Sequence, residues 1–412
     1  MNNTKNFQQT MMERISVEQA ITCMVSAVKP IKDTETISIL QANGRILSET
    51  IIASFDNPPF DRSAIDGYAC HFEDIQEATK DTPVALTVLE EIDAGQYSST
   101  IVPRGCAVRI MTGAPIPAGC DCCLRQEDTD YGEKTVLVYR SLKQFDNYCF
   151  QGEDFKKGTT MLQAGQKLSY VEIGILASLG YATVSVIRKP KIALFTTGDE
   201  VVLPGTPLQN GKIYNSNLFF LQARLQDFNF ELCDMGIVPD EPSKLAECFQ
   251  QLSTKVDLII TTGGVSVGKK DIVHDAVKLC GAKKIFWRVL LKPGTPTIFS
   301  ILNNTPIVSL TGNPFGALAN FELLIRPMLA VMTSDSHLNN KRITAIMKDQ
   351  FPKASKNRRF IRGTYCDGTV TLPKGLHSSG VFSSMAGCNC MIDIPAGTEA
   401  LHSGDTVSIV LI

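Results

Sequence analysis

Residues 256–269 read VDLIITTGGVSVGK, a short apolar run that ends in a glycine-rich turn. Such a run, rich in Val, Ile and Thr and bounded by glycine, predicts a buried strand. A similar run at 192–195 leads into Thr-Thr-Gly-Asp-Glu at 196–200, and an amphipathic pattern at 217–226 predicts a helix between the two strands. This alternation is typical of a parallel α/β sheet. Ligands of such sheets bind beyond the carboxyl ends of the strands, so 196–200 and 261–266 are expected to lie side by side there.

Two more rigid turns are expected at the same edge. Lys292-Pro293-Gly294-Thr295-Pro296 and Thr311-Gly312-Asn313-Pro314 both follow strand-like runs. Glycines let backbone amides approach a ligand, prolines stiffen the turn, and Lys292 supplies a charge suited to phosphate. The turn at 263–269 is not a Walker A loop, because Lys269 is followed by a second lysine instead of Ser or Thr. We expect an anion-binding turn of another kind; a turn that only redirects the chain is the alternative.

Carboxylates accompany these turns. Asp199, Glu200, Asp240 and Asp271 fall in the same region of the predicted sheet. Carboxylates beside a phosphate site usually hold magnesium between them. For Asp240, which precedes a predicted helix, capping of that helix is the alternative.

The segments before the sheet predict a helix and a β-rich domain. A helical pattern begins at Ser16 and ends at Pro30. Turn residues crowd the stretch 55–63, and short β-rich runs separated by Gly and Pro follow at 84–89, 107–110 and 135–138.

The next segments connect this β domain to the sheet, and another β-rich part follows the sheet. A helix at 169–179 and a strand at 182–187 lead to a linker at Lys189-Pro190. Beyond Met332, runs such as 369–372 and 407–411 predict a small C-terminal β domain.

The bulk properties exclude several classes of protein. With 412 residues, 44% of them hydrophobic and 20% charged, the chain should form two to four domains. No stretch approaches the ~18 apolar residues of a membrane span. A net charge of −2 gives no reason to expect nucleic acid. Residues 1–14 lack the apolar core of a secretory signal, so a cytoplasmic location is expected.

The 13 cysteines are interpreted as small buried apolar residues, as is usual in a large cytosolic protein. A zinc site formed by the C-x-x-C at 120–123 and the C-x-C at 388–390 is the alternative.

Seven short motifs occur in a fixed order: Asp-Gly-Tyr-Ala at 66–69, Arg-Ile-Met-Thr-Gly-Ala-Pro at 109–115, Gly-Glu-Asp at 152–154, Thr-Gly-Asp-Glu at 197–200, Gly-Gly-Val-Ser-Val-Gly at 263–268, Lys-Pro-Gly at 292–294 and Gly-Asn-Pro at 312–314. Each motif alone is weak. Their order and spacing together resemble the MoeA family, which includes the E domain of gephyrin, from Ser16 to the C-terminus.

The resemblance implies an elongated subunit of a homodimer, multi-domain α/β plus β, with β-rich domains on either side of a central MogA-like parallel α/β domain. It implies the following division: an elongated N-terminal and linker domain at 14–52 and 156–189, a β-rich domain at 53–155, the molybdopterin-binding α/β domain at 190–332 and the C-terminal β domain at 333–412.

The implied activity is that of a molybdopterin molybdenumtransferase. Such an enzyme takes adenylylated molybdopterin and molybdate, uses Mg²⁺, and releases AMP and molybdenum cofactor. The implied partners are a molybdopterin adenylyltransferase as substrate donor and molybdoenzymes or their chaperones as acceptors. A catalytically weakened paralogue that binds pterin or acts as a scaffold is the alternative from another class, and tungstate is an alternative metal oxyanion.

The family's functional positions are carried over residue by residue. Those of the catalytic set are Asp66, Thr112, Asp154, Glu200, Asp240 and Asp271, of which Glu200, Asp240 and Asp271 are the candidate metal ligands. Those of the substrate-binding set are Gly263, Gly264, Ser266, Arg288, Lys292, Gly312, Asn313 and Ser379. Asp66, Thr112 and Asp154 are expected to face the cleft from the partner subunit.

Three positions depart from the family pattern. Arg288 stands where the family has lysine, Thr295 replaces the second lysine of Lys-Pro-Gly-Lys-Pro, and Thr311 replaces the proline of Pro-Gly-Asn-Pro. We hypothesise that Lys269 or Lys270 restores the lost charge. The arginines at 358, 359 and 362 either extend the anion site or form a solvated basic strand.

Overall fold

A computed structural model describes residues 13–265, 272–375 and 377–412, without the side chains of residues 234 and 235. Its contacts divide the chain into two compact units. Unit 1 comprises the described residues up to Thr36, Gly44–Ile46 and Ser185–Ile412, and unit 2 comprises Ile37–Asn43 and Leu47–Val184. The four-part division predicted from the sequence stays a prediction.

Unit 1 contains both helices and strands, and unit 2 consists mainly of strands and loops. Within the described residues the α-helices are α1 (Val17–Ala27), α2 (Tyr170–Ser178), α3 (Ser216–Asp227), α4 (Pro242–Leu252), α5 (Ile272–Leu279), α6 (Pro314–Asn320) and α7 (Arg326–Thr333). The strands are β1 (Thr34–Ser38), β2 (Ile51–Ile52), β3 (Arg62–Ser63), β4 (Gly67–Cys70), β5 (Val84–Ile92), β6 (Cys106–Ile110), β7 (Cys122–Arg125), β8 (Thr135–Val138), β9 (Tyr148–Cys149), β10 (Thr160–Leu162), β11 (Thr183–Ile187), β12 (Lys191–Thr197), β13 (Val201–Val202), β14 (Ile213–Tyr214), β15 (Glu231–Val238), β16 (Leu258–Thr262), β17 (Lys283–Trp287), β18 (Ile298–Leu302), β19 (Thr305–Leu310), β20 (Arg342–Met347), β21 (Arg359–Cys366), β22 (Thr369–Thr371), β23 (Cys390–Ile394) and β24 (Thr406–Leu411).

The predicted N-terminal helix is confirmed as α1. Ser16 and Gln19 form a reciprocal capping box, in which the Gln19 amide donates to Ser16 Oγ at 3.1 Å and the Ser16 amide donates to Gln19 Oε1 at 2.9 Å. This pairing satisfies two of the helix's unpaired amides. Val17, Ala20 and Met24, spaced three and four residues apart, form the buried face.

A six-stranded sheet forms the centre of unit 1, in the order β15-β12-β16-β19-β18-β17. β15, β12, β16 and β19 pair in parallel, as predicted from the strand and helix alternation. β18 runs antiparallel to both of its neighbours, so the sheet is mixed. The reason is a two-residue turn: Asn303 and Asn304 both have positive φ, and a turn of this kind joins only antiparallel strands.

Both faces of this sheet are covered. Along β12, Ile192 and Leu194 pack into the apolar cluster that contains α1, α3 and the helical stretch 314–333. Ala193 and Phe195 point to the other face, into the cluster formed with α4 and α5. Side chains of a strand alternate between faces, and a parallel strand buried on both faces must be apolar throughout, which explains the run at 192–195.

Contrary to the expectation from the sequence, the stretch Pro314–Thr333 is long and apolar enough to cross a membrane, but 94% of its apolar window is buried inside the fold. It consists of α6, a wider π-helical turn at Phe321–Ile325, and α7. This burial is the behaviour of a core helix.

A closed barrel of β20, β22, β21, β23 and β24 forms the C-terminal part of unit 1. The short β runs predicted beyond Met332 are thus confirmed as strands. Ile361, Val370 and Ile409 are buried in its interior. Phe360 and Val410 point instead into the apolar cluster beneath the central sheet, which joins barrel and sheet.

Unit 2 contains a five-stranded sheet, in the order β7-β4-β6-β5-β8. The three strands predicted here are confirmed as β5, β6 and β8. One face buries Tyr68 and Leu86, and the opposite face buries Val108 and Cys123.

Candidate functional site

The carboxyl ends of three parallel strands meet at one edge of the central sheet. Thr196 of β12 pairs with Thr262 of β16, and Thr262 pairs with Leu310 of β19. The loops that follow these strands therefore start next to one another. This confirms the predicted neighbourhood of 196–200 and the glycine-rich turn as far as Val265.

An open cavity of about 770 Å³, called here the main cavity, lies at this edge. Its size is that of a site for a small molecule or cofactor. The predicted site residues on its wall are Glu200, Asp240, Gly263, Gly264, Gly312 and Asn313.

Three polar side chains on the same wall were not predicted. Thr197, Asn215 and Asn217 are at most 6% exposed. Thr197 Oγ1, Asn215 Nδ2 and Asn217 Oδ1 are buried and have no hydrogen-bond partner among the described residues. Buried polar atoms normally find partners, so these three favour a polar ligand in the cavity.

The asparagines have a sequence signal that could have revealed them. Asn215 caps α3 by accepting a hydrogen bond from the Leu218 amide at 3.0 Å, and Asn217 Nδ2 donates to Gly312 O at 2.9 Å. An asparagine directly before an apolar helical pattern is a typical N-cap. The first turn of a helix that follows a strand lies at the sheet edge where ligands bind, which places both side chains there.

The turn after β16 requires glycine. Gly263 has φ of +95°, and a Cβ built on it would lie 2.4 Å from Thr197 O. One detail of the sequence prediction is corrected, because the Gly263 amide donates to Leu310 O at 3.0 Å and cannot hold a phosphate. An anion at this turn would have to bind the amides that follow it.

We predict that Gly263→Ala destabilises unit 1 by about 2 to 3 kcal/mol, because left-handed strain and overpacking against backbone add. Gly211→Ala is the matched control: Gly211 has φ of +79°, with no atom within 4 Å of its built Cβ. The control should cost about 1 kcal/mol in urea unfolding. Equal losses in the two variants would contradict the close approach to Thr197.

A backbone amide holds one of the carboxylates near the main cavity. Asp199 Oδ1 accepts a hydrogen bond from the Asp240 amide at 3.2 Å, which ties the loop after β12 to the loop after β15. Asp240 is not the N-cap of α4; Glu241 is, and it makes no side-chain capping bond. The capping interpretation of Asp240 is therefore wrong, and its side chain lies on the cavity wall.

A second cavity, of about 340 Å³, adjoins the first and shares Pro296, Thr311 and Asn313 with it. We call it the basic cavity. Lys292, Lys353 and Arg359 lie on its wall together with His377, and no carboxylate is among its described lining residues. The predicted residue Ser379 is on this wall. Burial, and then the charges of Arg362 and Lys353, lower the pKa of His377, which favours the neutral imidazole.

A third cavity, of about 380 Å³, is lined by Arg14, Arg288 and Lys292, and we call it the arginine cavity. It shares Val265 with the main cavity. The Arg288 guanidinium lies over the Trp287 ring, 4.0 Å from its centroid. Its planar charge is thus held by stacking, which a lysine would do less well.

The three arginines near 360 have different surroundings. Arg358 forms ion pairs with Asp393 and Glu18. Arg362 is fully buried, bonds the carbonyls of Ser378 and Val381, and lies over the Phe315 ring. The alternative of a solvated basic strand is wrong for both. Of the three, only Arg359 lies on the wall of the basic cavity.

In unit 2, Thr112 donates from its hydroxyl and its amide to Asp66 Oδ1, at 2.6 and 2.7 Å. These two bonds lower the pKa of the Asp66 carboxyl. Asp154 accepts a hydrogen bond from Asn57 Nδ2 at 2.8 Å. Their predicted role at the cleft of a partner subunit stays a prediction.

Ser266 and Asp271, together with Lys269 and Lys270, lie outside the described residues. Within the described parts of the chain, no three His, Cys, Asp or Glu side chains are grouped closely enough to hold a metal ion.

Cys120 and Cys123 are buried, and burial raises the pKa of Cys123 to about 12. Cys120 and Cys123 thus have the properties of the small buried apolar residues that the sequence predicted.

Comparison with known proteins identifies the family. Residues 15–180 match the MoeA N-terminal region (domain I and II), 193–331 a probable molybdopterin binding domain, and 344–412 the MoeA C-terminal region (domain IV). The molybdopterin molybdenumtransferase of Haemophilus influenzae is 34% identical over 96% of this chain and 98% of its own length. The chain belongs to the MoeA family. The enzyme of the same name from Staphylococcus epidermidis is 32% identical over 96% of this chain and 95% of its own length.

Solved MoeA structures share the fold. The molybdopterin biosynthesis MoeA protein of Pyrococcus horikoshii superimposes with a TM-score of 0.84 at 27% identity, covering 97% of this chain and 99% of that one. Another solved structure, of a molybdopterin biosynthesis MoeA protein from Pyrococcus horikoshii OT3, gives a TM-score of 0.79 at 30% identity, covering 97% of this chain and 100% of that one. The MoeA fold, with β-rich parts flanking a central α/β sheet, is therefore confirmed.

Proposed function

We propose that the protein inserts molybdate into adenylylated molybdopterin and releases AMP, yielding molybdenum cofactor. The observation that carries the proposal is the pair of adjoining cavities, one polar and large, the other small and cationic, in a chain of the MoeA family. A pterin dithiolene and a tetrahedral oxyanion have to meet, and two connected cavities of this kind bring them together.

The main cavity is the proposed site of the pterin. Its wall offers the unpaired atoms Thr197 Oγ1, Asn215 Nδ2 and Asn217 Oδ1, a mixture of donors and acceptors. A pterin ring presents both kinds of group on its edge. A ligand that pairs with these atoms removes a cost of about 1–3 kcal/mol for each buried polar atom otherwise left unsatisfied.

The basic cavity is the proposed site of molybdate. Its charged lining residues are cations, and the described wall contains no carboxylate that would repel a dianion. Because Pro296 and Thr311 line both cavities, the dithiolene sulfurs are proposed to reach the oxyanion beside these residues. The arginine cavity, next to the glycine-rich turn, is the proposed position of the adenylate phosphate, with Arg288 and Lys292 as its cations.

Mg²⁺ is proposed to bind in the main cavity as an ion that arrives with the substrate. Glu200 and Asp240 both lie on the wall, and Mg²⁺ is commonly held by one or two carboxylates together with substrate phosphates. Asp271 is the third predicted ligand. Bound there, Mg²⁺ would neutralise charge on the phosphoanhydride. Glu200 and Asp240 themselves are proposed to orient the water at the phosphoanhydride.

The homodimer, the adenylyltransferase as substrate donor, the molybdoenzymes or chaperones as acceptors and the cytoplasmic location are further proposals drawn from the family resemblance. Asp66, Thr112 and Asp154 are proposed to complete the site from the partner subunit.

The test is anaerobic incubation of the purified protein with adenylylated molybdopterin, Mg²⁺ and molybdate. AMP release and reconstitution of a cofactor-free molybdoenzyme are measured. We expect both products, and neither without molybdate or protein. Tight pterin binding with neither product would contradict the proposal and favour a binding paralogue.

A parallel incubation with tungstate in place of molybdate tests which oxyanion is used. Equal AMP release with both oxyanions would show that the site does not discriminate between them.

A further inference from the structure

The basic cavity carries more positive charge than the Lys-Pro-Gly loop supplies. That loop contributes Lys292, whereas Arg359 is the first residue of barrel strand β21 and Lys353 lies in the segment between β20 and β21. Thr295, also on the wall, adds no charge, and its hydroxyl donates to Leu291 O at 2.5 Å within the loop. The loop thus provides one cation where the family pattern has two.

Backbone pairing holds Arg359 beside Lys292. The Lys292 amide donates to Arg358 O at 2.9 Å, the Phe360 amide donates to Lys292 O at 2.7 Å, and Lys292 and Arg359 form a parallel β-bridge. This backbone pairing places the two side chains in the same neighbourhood.

One hydrogen bond orients the Arg359 guanidinium, and its two terminal amino groups remain available to a ligand. Its Nε donates to Ser355 Oγ at 3.0 Å, and Ser355 is 1% exposed and donates in turn to Asn357 O. The guanidinium also lies 5.7 Å from the centroid of the Phe351 ring. Nη1 and Nη2 have no partner among the described residues. Arg358 and Arg362, in contrast, use their guanidiniums in ion pairs and carbonyl bonds.

We propose that Arg359, supported by Lys353, binds the oxyanion opposite Lys292 and supplies the charge that Thr295 does not. A tetrahedral dianion then lies between Lys292 of the loop and the guanidinium of the barrel. The two free amino groups of Arg359 form a planar fork that matches two oxygens of an oxyanion. This inference rests on the proposed function, because it assumes that the basic cavity binds molybdate.

The probe is sodium molybdate, titrated into the whole protein by isothermal calorimetry at low ionic strength. Arg359→Gln should weaken binding about 10-fold or more, and Lys353→Met about 3-fold. Arg359→Lys keeps the charge but loses the planar fork, so it should weaken binding measurably but less than Arg359→Gln does. Lys356→Met is the matched control, since Lys356 is exposed and lines none of the three cavities; it should leave binding unchanged.

A double variant that moves the positive charge from the barrel to the loop distinguishes a role in binding from a structural role. Adding Thr295→Lys to Arg359→Gln puts the cation back on the loop and should recover most of the lost affinity. A purely structural role of Arg359 predicts no recovery. Unchanged binding by Arg359→Gln, or no recovery in the double variant, would overturn the inference and leave the proposed function intact. Absence of molybdate binding by the wild type would overturn the proposed molybdate site, and this inference with it.

Discussion

Replacing Glu200 by glutamine is expected to lower the rate of AMP release at least about 100-fold, on the order of 3 kcal/mol in the reaction barrier. Glutamine keeps the shape of the side chain on the wall of the main cavity but removes its charge. The substitution thus removes a carboxylate that can bind a cation or accept a proton from water. The measurement is single-turnover AMP release with saturating Mg²⁺ and molybdate.

Glu247→Gln is the control for this experiment. Glu247 lies exposed on α4 and outside the three cavities, so its loss changes the net charge by the same amount at a distance from the site. We expect wild-type rates from it. A Glu200→Gln protein with normal AMP release would show that the carboxylate is not part of the reaction, and the catalytic assignment of the main cavity would lose its main support.

The second large effect concerns stability. Glu322 is fully buried in the wide turn of the core helix, where Arg224 Nε donates to it at 2.7 Å and Arg326 Nη1 at 2.6 Å. Both guanidiniums also lie over the Phe228 ring. Glu322→Gln should lower the free energy of unfolding by about 3–5 kcal/mol, because the buried Arg326 loses its counter-charge and the partly buried Arg224 loses one of two.

Asp227→Asn is the matched comparison. Asp227 also pairs with Arg224, at 3.3 Å, but its side chain is 65% exposed. Solvent screens this pair, and its loss should cost less than about 1 kcal/mol. Both variants are measured by urea denaturation of the whole protein. A Glu322→Gln protein that is as stable as Asp227→Asn would show that the buried pairs do not stabilise the core helix.

Much of the central sheet could be predicted from the residues because its physical requirements are local. A strand buried on both faces must be apolar along its length, as 192–195 and 258–260 are. A turn with a positive φ next to a neighbouring backbone must be glycine, as Gly263 is. The antiparallel β18 was missed, although the pair Asn303-Asn304 carries the signal of a tight turn.

The candidate site was predicted less completely. Glu200, Lys292 and Asn313 belong to motifs in sharp turns, and all three line a cavity. The helix-start signal of Asn215 and Asn217 could have placed them at the sheet edge, but it does not show that they face a ligand. Their importance appears only when their unpaired atoms are found on the wall of the main cavity.

The sequence by itself determined the order of strands, helices and glycine turns, because these depend on the properties of neighbouring residues. Only the tertiary structure decided which charges are available to a ligand. Arg358, Arg359 and Arg362 are almost adjacent in the chain, yet their surroundings differ. Arg358 pairs with Asp393, and Arg362 donates to backbone carbonyl groups. Arg359 lies on the wall of the basic cavity. Whether a charged side chain is paired or available to a ligand depends on residues distant in sequence, and only folding brings those residues together.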